Sequence, residues 1–261
     1  MANTIYNNIV LENKVKNFLD TKLDMSTFYT HDDSLTENAG MKKVINVYDA
    51  TDGAVQDLAQ GEGNTTQVEV SFTPVEYTVS TVQGRLPLFD EEIMKDPMSL
   101  DTGLAKLSAD MVNNVNGKFI AELGKATLNS TYPSAGIDFN SIVDALVLVG
   151  EDDSNYNLLI NPTQRGQLRK TLKDSLQYVE AFARTSYIGT VSGVNVYTSD
   201  LVPADTAYLF NVSAVTVFTK KDIEIEIDRD ANTRKNTFYS RLVNLVALTD
   251  SGKVVKITKS I

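Results

Sequence analysis

Apolar residues recur along this 261-residue chain in different rhythms, and the order of those rhythms predicts the architecture. Over residues 1–39 they are scattered (Ile5, Ile9, Val15, Phe18, Leu19, Leu23, Phe28). The run Leu11–Leu23 predicts one short amphipathic helix, and the rest reads as an arm with no partner in reach. From residue 40 the rhythm shortens. Val44, Ile45, Val47 and Tyr48 predict a strand, Asp49–Thr66 is turn-rich and acidic, and a second strand alternates Val68, Val70, Phe72. It resumes one residue out of phase as Val75, Tyr77, Val79, which predicts a bulge or bend at Pro74. Strands of roughly 15–20 residues at ~3.3 Å each reach about 50–65 Å. A lone two-stranded ribbon is marginal in water, so neighbouring subunits are expected to cover its apolar side chains.

Beyond Arg85 the helical period takes over. LPLFDEEIMKD predicts a short helix that stops before Pro97. A long helix is expected next, with Asp101 as N-cap and Leu104, Leu107, Met111, Val115, Phe119 and Leu123 as one apolar stripe. About 25 residues at ~1.5 Å each span about 35 Å, enough to cross a domain. Gly117 and Gly124 weaken it, so packing must hold it. Residues 133–210 alternate: a helix over Phe139–Val149, a buried strand Tyr156–Ile160, a helix opened by Asn161-Pro162 and running through Lys173, then short strands Val194–Tyr197 and Thr206–Phe210. The last segment returns to strands. Ile223, Ile225 and Ile227 alternate with acids and predict a half-buried strand. A polar loop over 228–236 follows, and Phe238–Thr249 with Lys253–Ile257 is expected to form a hairpin around Asp250-Ser251-Gly252.

Composition narrows the function. Hydrophobic residues are 42% and charged residues 22%, a globular balance, while 24 Lys+Arg against 34 Asp+Glu give a net charge of −10. That acidity argues against a protein whose main task is gripping phosphates. With no Cys and one His, thiolate chemistry and His-rich metal sites are excluded. The longest apolar stretch near the start, Ile9–Leu11, is too short for a leader or a membrane span, so a product made in the cytosol with no membrane partner is expected.

The remaining chemical candidates are weak. His31 beside Asp32 and Asp33 reads as a surface histidine; no Gly-x-Ser-x-Gly motif accompanies it. Glu91 and Glu92 are adjacent, diverge by ~100° on a helix and cannot share a substrate, so they read as a helix surface or a subunit ion pair. Asp228, Asp230 and Asn232 match the start of a calcium loop, but Thr233 replaces its glycine and Tyr239 its bidentate glutamate. Gly61-Glu-Gly63 precedes a strand rather than a helix and is a flexible tip, not a phosphate cradle. Arg165, Arg169 and Lys173 form a basic stripe that suits a solvated face or the acidic side of a neighbour.

The order arm, ribbon, short helix, long helix, α/β unit and closing strands resembles the major capsid proteins of tailed bacteriophages, the Hong-Kong-97-type fold. GEGNTTQVEVSFTPVEYTV is similar to the distal strand of that family's E-loop, and LPLFDEEIMKDPMSLDTGLAKLSADMVNNVNGKFIAEL to the entry of its spine helix. IGTVSGVNVYTSDLVPADTAYLFN resembles the junction of its A- and P-domains, and IEIEIDRD with VALTDSGKVVKI its terminal strands. The resemblance implies an α+β fold divided as N-arm 1–39, E-loop ribbon 40–85, P-domain with spine helix 86–132, A-domain 133–212 and returning P-domain strands 213–261.

It further implies a non-catalytic protein without cofactor or metal. Such a subunit would form the hexamers and pentamers of an icosahedral head assembled in the bacterial cytoplasm, with a portal, a separate scaffolding protein and weakly held double-stranded DNA as partners. Interface candidates are then Val47, Tyr48, Leu58, Val70, Phe72 and Tyr77 on the ribbon, Glu91 and Glu92, Arg165 and Arg169, and Asp228, Arg229 and Arg234. Gly84 and Gly117 are candidate flex points. Some members ligate an E-loop lysine to a neighbour's asparagine; here no Lys occurs between Lys43 and Lys95, so no such cross-link is expected. The alternatives are an encapsulin-like compartment shell and a phage-encoded carbohydrate-active enzyme.

Overall fold

The structure, a computed structural model, describes residues 25–37, 40–50, 55–150, 155–172 and 189–260. The expected helix Leu11–Leu23 lies outside them. In chain order the elements are β1 (Thr30–Asp32), β2 (Lys42–Ala50), β3 (Val70–Thr78), β4 (Ser80–Phe89), α1 (Asp90–Lys95), α2 (Met98–Leu123), β5 (Leu128–Tyr132), α3 (Phe139–Leu148), β6 (Tyr156–Ile160), α4 (Pro162–Leu172), β7 (Gly189–Val191), β8 (Val194–Thr198), β9 (Thr206–Asn211), β10 (Val215–Asp230), β11 (Lys235–Leu248) and β12 (Val254–Lys259). Among the described residues they form a four-stranded sheet β1-β10-β11-β4, a six-stranded sheet β5-β12-β9-β6-β8-β7, and the two-stranded ribbon β2-β3.

The long helix α2 lies across the four-stranded sheet. Glycines make the close approach possible: a Cβ at Gly84 would stand 2.3 Å from Leu107 Cδ1, and one at Gly103 2.6 Å from Leu86 Cδ2. Gly84 is therefore a packing position inside β4, paired with Ser240, rather than a flex point. The helix begins at Met98, before the expected Asp101, because the Asp96 side chain accepts from the Met98 N–H (3.0 Å). Asp101 sits instead in the first turn, where its charge suits the helix dipole.

The short helix α1 is likewise trimmed. Leu86–Phe89 pair with Lys235–Phe238 as strand, and the helix starts only at Asp90. β4 is an edge strand, which is why it tolerates Pro87.

The six-stranded sheet carries α3 and α4. Asp138 caps α3 through the Ser141 N–H (2.9 Å), and Asn161 caps α4 through the Thr163 N–H (3.1 Å). The central strand β6 is buried along its whole length. The expected terminal hairpin is not formed. β11 belongs to the four-stranded sheet, whereas β12 crosses to the other sheet, parallel to β5 and antiparallel to β9. A short 3-10 turn at Ser251–Lys253, capped by Asp250, redirects the chain between them. Two apolar strands close in sequence need not pair when each has a better-matched partner elsewhere.

Part of the predicted arm is core. Met25 and Phe28 are buried, with the Phe28 ring tilted against Tyr197 (ring centroids 4.7 Å) and edge-to-face with Phe210 (5.8 Å). β1 then pairs parallel to β10 at Thr216–Phe218. Scattered apolar residues without periodicity gave no strand signal there; the tertiary contact supplies the order.

Candidate functional site

The ribbon is the first surface of interest. β2 and β3 pair in continuous register from Lys42↔Thr78 to Ala50↔Val70, with Asn46 opposite Pro74, so the expected bulge at Pro74 is absent. Both strands are edges, and the proline's missing N–H costs no ladder partner there. The continuous ladder changes the meaning of the phase slip. Side chains alternate strictly, so Val75 and Tyr77 point to one face, while Val70 and Phe72 point to the other.

The first face rests on its own subunit: Ile45, Tyr77 and Val79 pack with Phe218, Val243 and Leu245. The second face, farther out, is exposed. Val70 retains 63% and Phe72 61% of its surface, with Val44 on that same face and Val47 on the first also solvent-facing. Paired strand covers nine residues a side, about 30 Å. That is shorter than the expected reach, and the described segment from Val55 to Glu69, including the exposed Leu58, carries no strand. Tyr48 lies opposite Phe72, but its side chain is outside the described residues.

At the ribbon root, polar contacts tie three elements together. Lys118 of α2 donates to Ser80 Oγ (2.6 Å) at the start of β4 and to Asn244 Oδ1 (2.9 Å) on β11. Both acceptors are neutral, and burial holds the lysine below its ordinary pKa. Tyr77, expected at an interface, is half-buried here: its hydroxyl donates to the Leu248 carbonyl (3.1 Å). Burial first, then the Glu122 charge, pushes its phenol up. Lys125 pairs with Glu122 (2.6 Å) beside it, and these groups line a cleft of about 320 Å³. Nothing in the sequence pattern marked Lys118, because a lysine on the polar back of a helix reads as solvated.

The far end of the β10–β11 hairpin carries a third group of candidates. The expected loop 228–236 is mostly strand, with only the turn between Asp230 and Lys235 unpaired. Arg229 reaches Asp90 (3.1 Å), Arg234 reaches Glu91 (3.7 Å), and Asn236 Nδ2 donates to Asp90 Oδ1 (2.5 Å). Glu92 accepts the Phe89 N–H (3.1 Å) and caps α1. These side chains, expected at contacts between copies, hold one another within the subunit and clamp the hairpin end to α1. Their arginines stay largely exposed, so the ion pairs themselves contribute little.

Asp228 is exposed on the hairpin's other face. Ile223, Ile225 and Ile227, expected half-buried, remain 50%, 52% and 64% exposed, whereas α2 packs mainly on β4 and β11. On α4, Arg165 is half-buried and Arg169 exposed, and burial together with the Arg169 charge lowers the pKa of Arg165. Lys173 falls outside the described residues.

A subunit with one long helix across a sheet, an α/β unit beside it and a thin projecting ribbon has the build of a Hong-Kong-97-type shell protein. The phage capsid protein family matches residues 72–257. The major capsid protein of Staphylococcus phage phiMR11 is similar at 25% identity over 254 residues, covering 92% of this chain and 89% of that one. Among solved structures, a chain of Mycobacterium phage Che8 superposes with a TM-score of 0.71 at 16% identity, covering 90% of each. A chain of a virus-like particle from Pyrococcus furiosus superposes at 0.62 and 12% identity, covering 94% and 96%. The fold alone is therefore shared by different containers, and the family match is what separates them.

The chain belongs to the phage capsid protein family. It is a major capsid protein of a tailed-phage head, a structural rather than enzymatic component of the virion that works as one of many copies in a multimeric shell. The compartment-shell and carbohydrate-enzyme alternatives are not favoured.

Proposed function

We propose that this subunit forms hexamers and pentamers that close into an icosahedral head around double-stranded DNA, assembling in the bacterial cytoplasm with a portal and a separate scaffolding protein. One observation supports this above others: a ribbon anchored by one face at its root and exposing Val70 and Phe72 on the opposite face farther out. A two-stranded element of that kind gains too little from its own contacts to be ordered in solution, and an adjoining copy completes it. In this reading residues 40–85 form the E-loop, although 80–85 already belong to the main sheet. Residues 86–132 and 213–261 form the P-domain and 133–212 the A-domain; of the N-arm 1–39, residues 25–32 belong to the body of their own subunit.

The interface candidates keep different roles. Val47, Tyr48, Leu58, Val70 and Phe72 meet a neighbour, while Tyr77 secures the root. Glu91, Glu92, Asp228, Arg229 and Arg234 sit where symmetry mates converge, and Arg165 and Arg169 face the next A-domain in the ring. Contact with DNA is weak and non-specific, in keeping with the charge of −10. Electron microscopy and sedimentation of the purified chain, alone and with its scaffold, test the reading. Capsomers and closed shells are expected; a monomer that stays single under all those conditions contradicts it.

A further inference from the structure

We infer that residues 32–35 of the arm set the direction in which the ribbon leaves its own subunit, with Lys43 as the positioning residue. This goes beyond the assembly reading and takes from it only the use to which a fixed ribbon is put. The two strands of the ribbon join the body differently. β3 passes through Val79 into β4, and Lys118 holds the first residue of β4, Ser80 (2.6 Å). β2 is entered from the arm, so its position depends on side-chain contacts, and Lys43 makes polar ones.

The Lys43 amine lies 3.6 Å from Asp32 Oδ2, donates to Ser34 Oγ (3.1 Å) and sits 3.5 Å from the centroid of the Phe218 ring. Asp32 and Ser34 belong to the arm, and Phe218 is the residue that pairs with Asp32 in the β1–β10 ladder. The arm is shaped to present them. Asp32 Oδ1 accepts the Ser34 N–H (2.7 Å), and the Thr36 N–H closes a turn on the Asp33 carbonyl (3.0 Å). Leu35 is buried in the same cluster as Ile45, Tyr77 and Val79 of the ribbon root. The Ser34 N–H and hydroxyl first, and the Lys43 charge after them, hold the Asp32 carboxyl below its usual range, so it is ionised at neutral pH.

One rung of the ribbon carries two polar anchors. Lys43 stands opposite Tyr77, and opposite residues put their side chains on the same face about 5 Å apart. Tyr77 donates to the Leu248 carbonyl at the end of β11 (3.1 Å), while Lys43 turns to the arm and to Phe218 of β10. Two anchors side by side, on different elements, resist rolling of the ribbon about its long axis; either alone leaves a pivot. The side chains of Lys43 and Asp32 retain only 24% and 37% of their surface, against 66% and 52% for the pair Lys42 and Glu76 within the ribbon. Water and salt therefore screen the arm contact less.

Hydrogen exchange of dissociated full-length subunits tests this in a double-mutant cycle of Asp32→Asn and Lys43→Met. D32N keeps the oxygen that accepts the Ser34 N–H and removes the charge; K43M keeps an apolar stem against Phe218 and removes the amine. Each single variant is expected to speed exchange at the ribbon-root amides 75–79 by about five-fold, the low end of coupling between sites. The double variant should be no faster than K43M, K43R should restore the parent rate, and the β6 amides should not change. Root amides that keep the parent rate in both single variants, single effects that multiply in the double variant, or an equal acceleration at β6 overturn the inference. Under the assembly reading, K43M subunits also close into shells more slowly. A parent chain that never forms shells removes that reading, while exchange in the dissociated subunit still decides this one.

Discussion

At the scale of single residues, two glycines that look alike in the sequence have opposite roles. Gly84 admits Leu107 against the sheet, with a hypothetical Cβ only 2.3 Å away, whereas a Cβ at Gly117 meets nothing within 4 Å. Gly84→Val should therefore destabilise the subunit by about 1–3 kcal/mol through overpacking. Gly117→Ala, inside α2, should stabilise it by about 0.5–1 kcal/mol; urea midpoints of the two variants check the contrast. Lys118 makes a pH prediction. Its amine titrates below 10.5 when folded because it is desolvated, so the unfolded chain binds more protons between the lowered value and 10.5. Stability should rise with pH across that window and fall again as the amine is protonated. Lys118→Met should flatten this alkaline rise, measured as the unfolding midpoint against pH.

At the scale of elements, long periodic segments were legible and irregular ones were not. The stripe from Leu104 to Leu123 and the caps at Asp138 and Asn161 encode their helices locally, and the structure places α2, α3 and α4 there. The strand Ser80–Phe89 was hidden because Gly84 and Pro87 interrupt its alternation of Val82, Leu86 and Leu88, and pairing with β11 supplies its order. The burial of Met25 and Phe28 was equally invisible, since their partners Tyr197 and Phe210 lie far along the chain. The phase slip at Pro74 was read correctly as a change of face but wrongly as a bulge. A regular ladder through Pro74 already delivers the change. Of the candidate surfaces, the ribbon residues Val70 and Phe72 are exposed as their apolar alternation suggested. Ile223, Ile225 and Ile227 were read as a half-buried strand and are half exposed or more; alternation does not say whether anything covers the apolar face.

At the scale of the whole molecule, the same composition that excluded ordinary enzymes shapes the container. With no Lys between Lys43 and Lys95, the ribbon offers no amine for ligation. Denaturing gels of mature particles should show one subunit-sized band; a ladder of joined subunits contradicts this. The net charge of −10 predicts that purified subunits hold duplex DNA weakly and release it as salt rises. Salt-resistant retention in a filter-binding assay would count against that.

The central claim is that the outer ribbon is completed by an adjoining copy, and hydrogen exchange reads it directly. In dissociated subunits the amides of Val47–Ala50 and Val70–Thr73, the outer end of the ladder, should exchange within the dead time of the experiment, while those of buried β6 stay protected. In assembled shells the ribbon amides should slow to the protection of the sheets. Ribbon amides already as protected in the solitary subunit as in the shell would contradict the account.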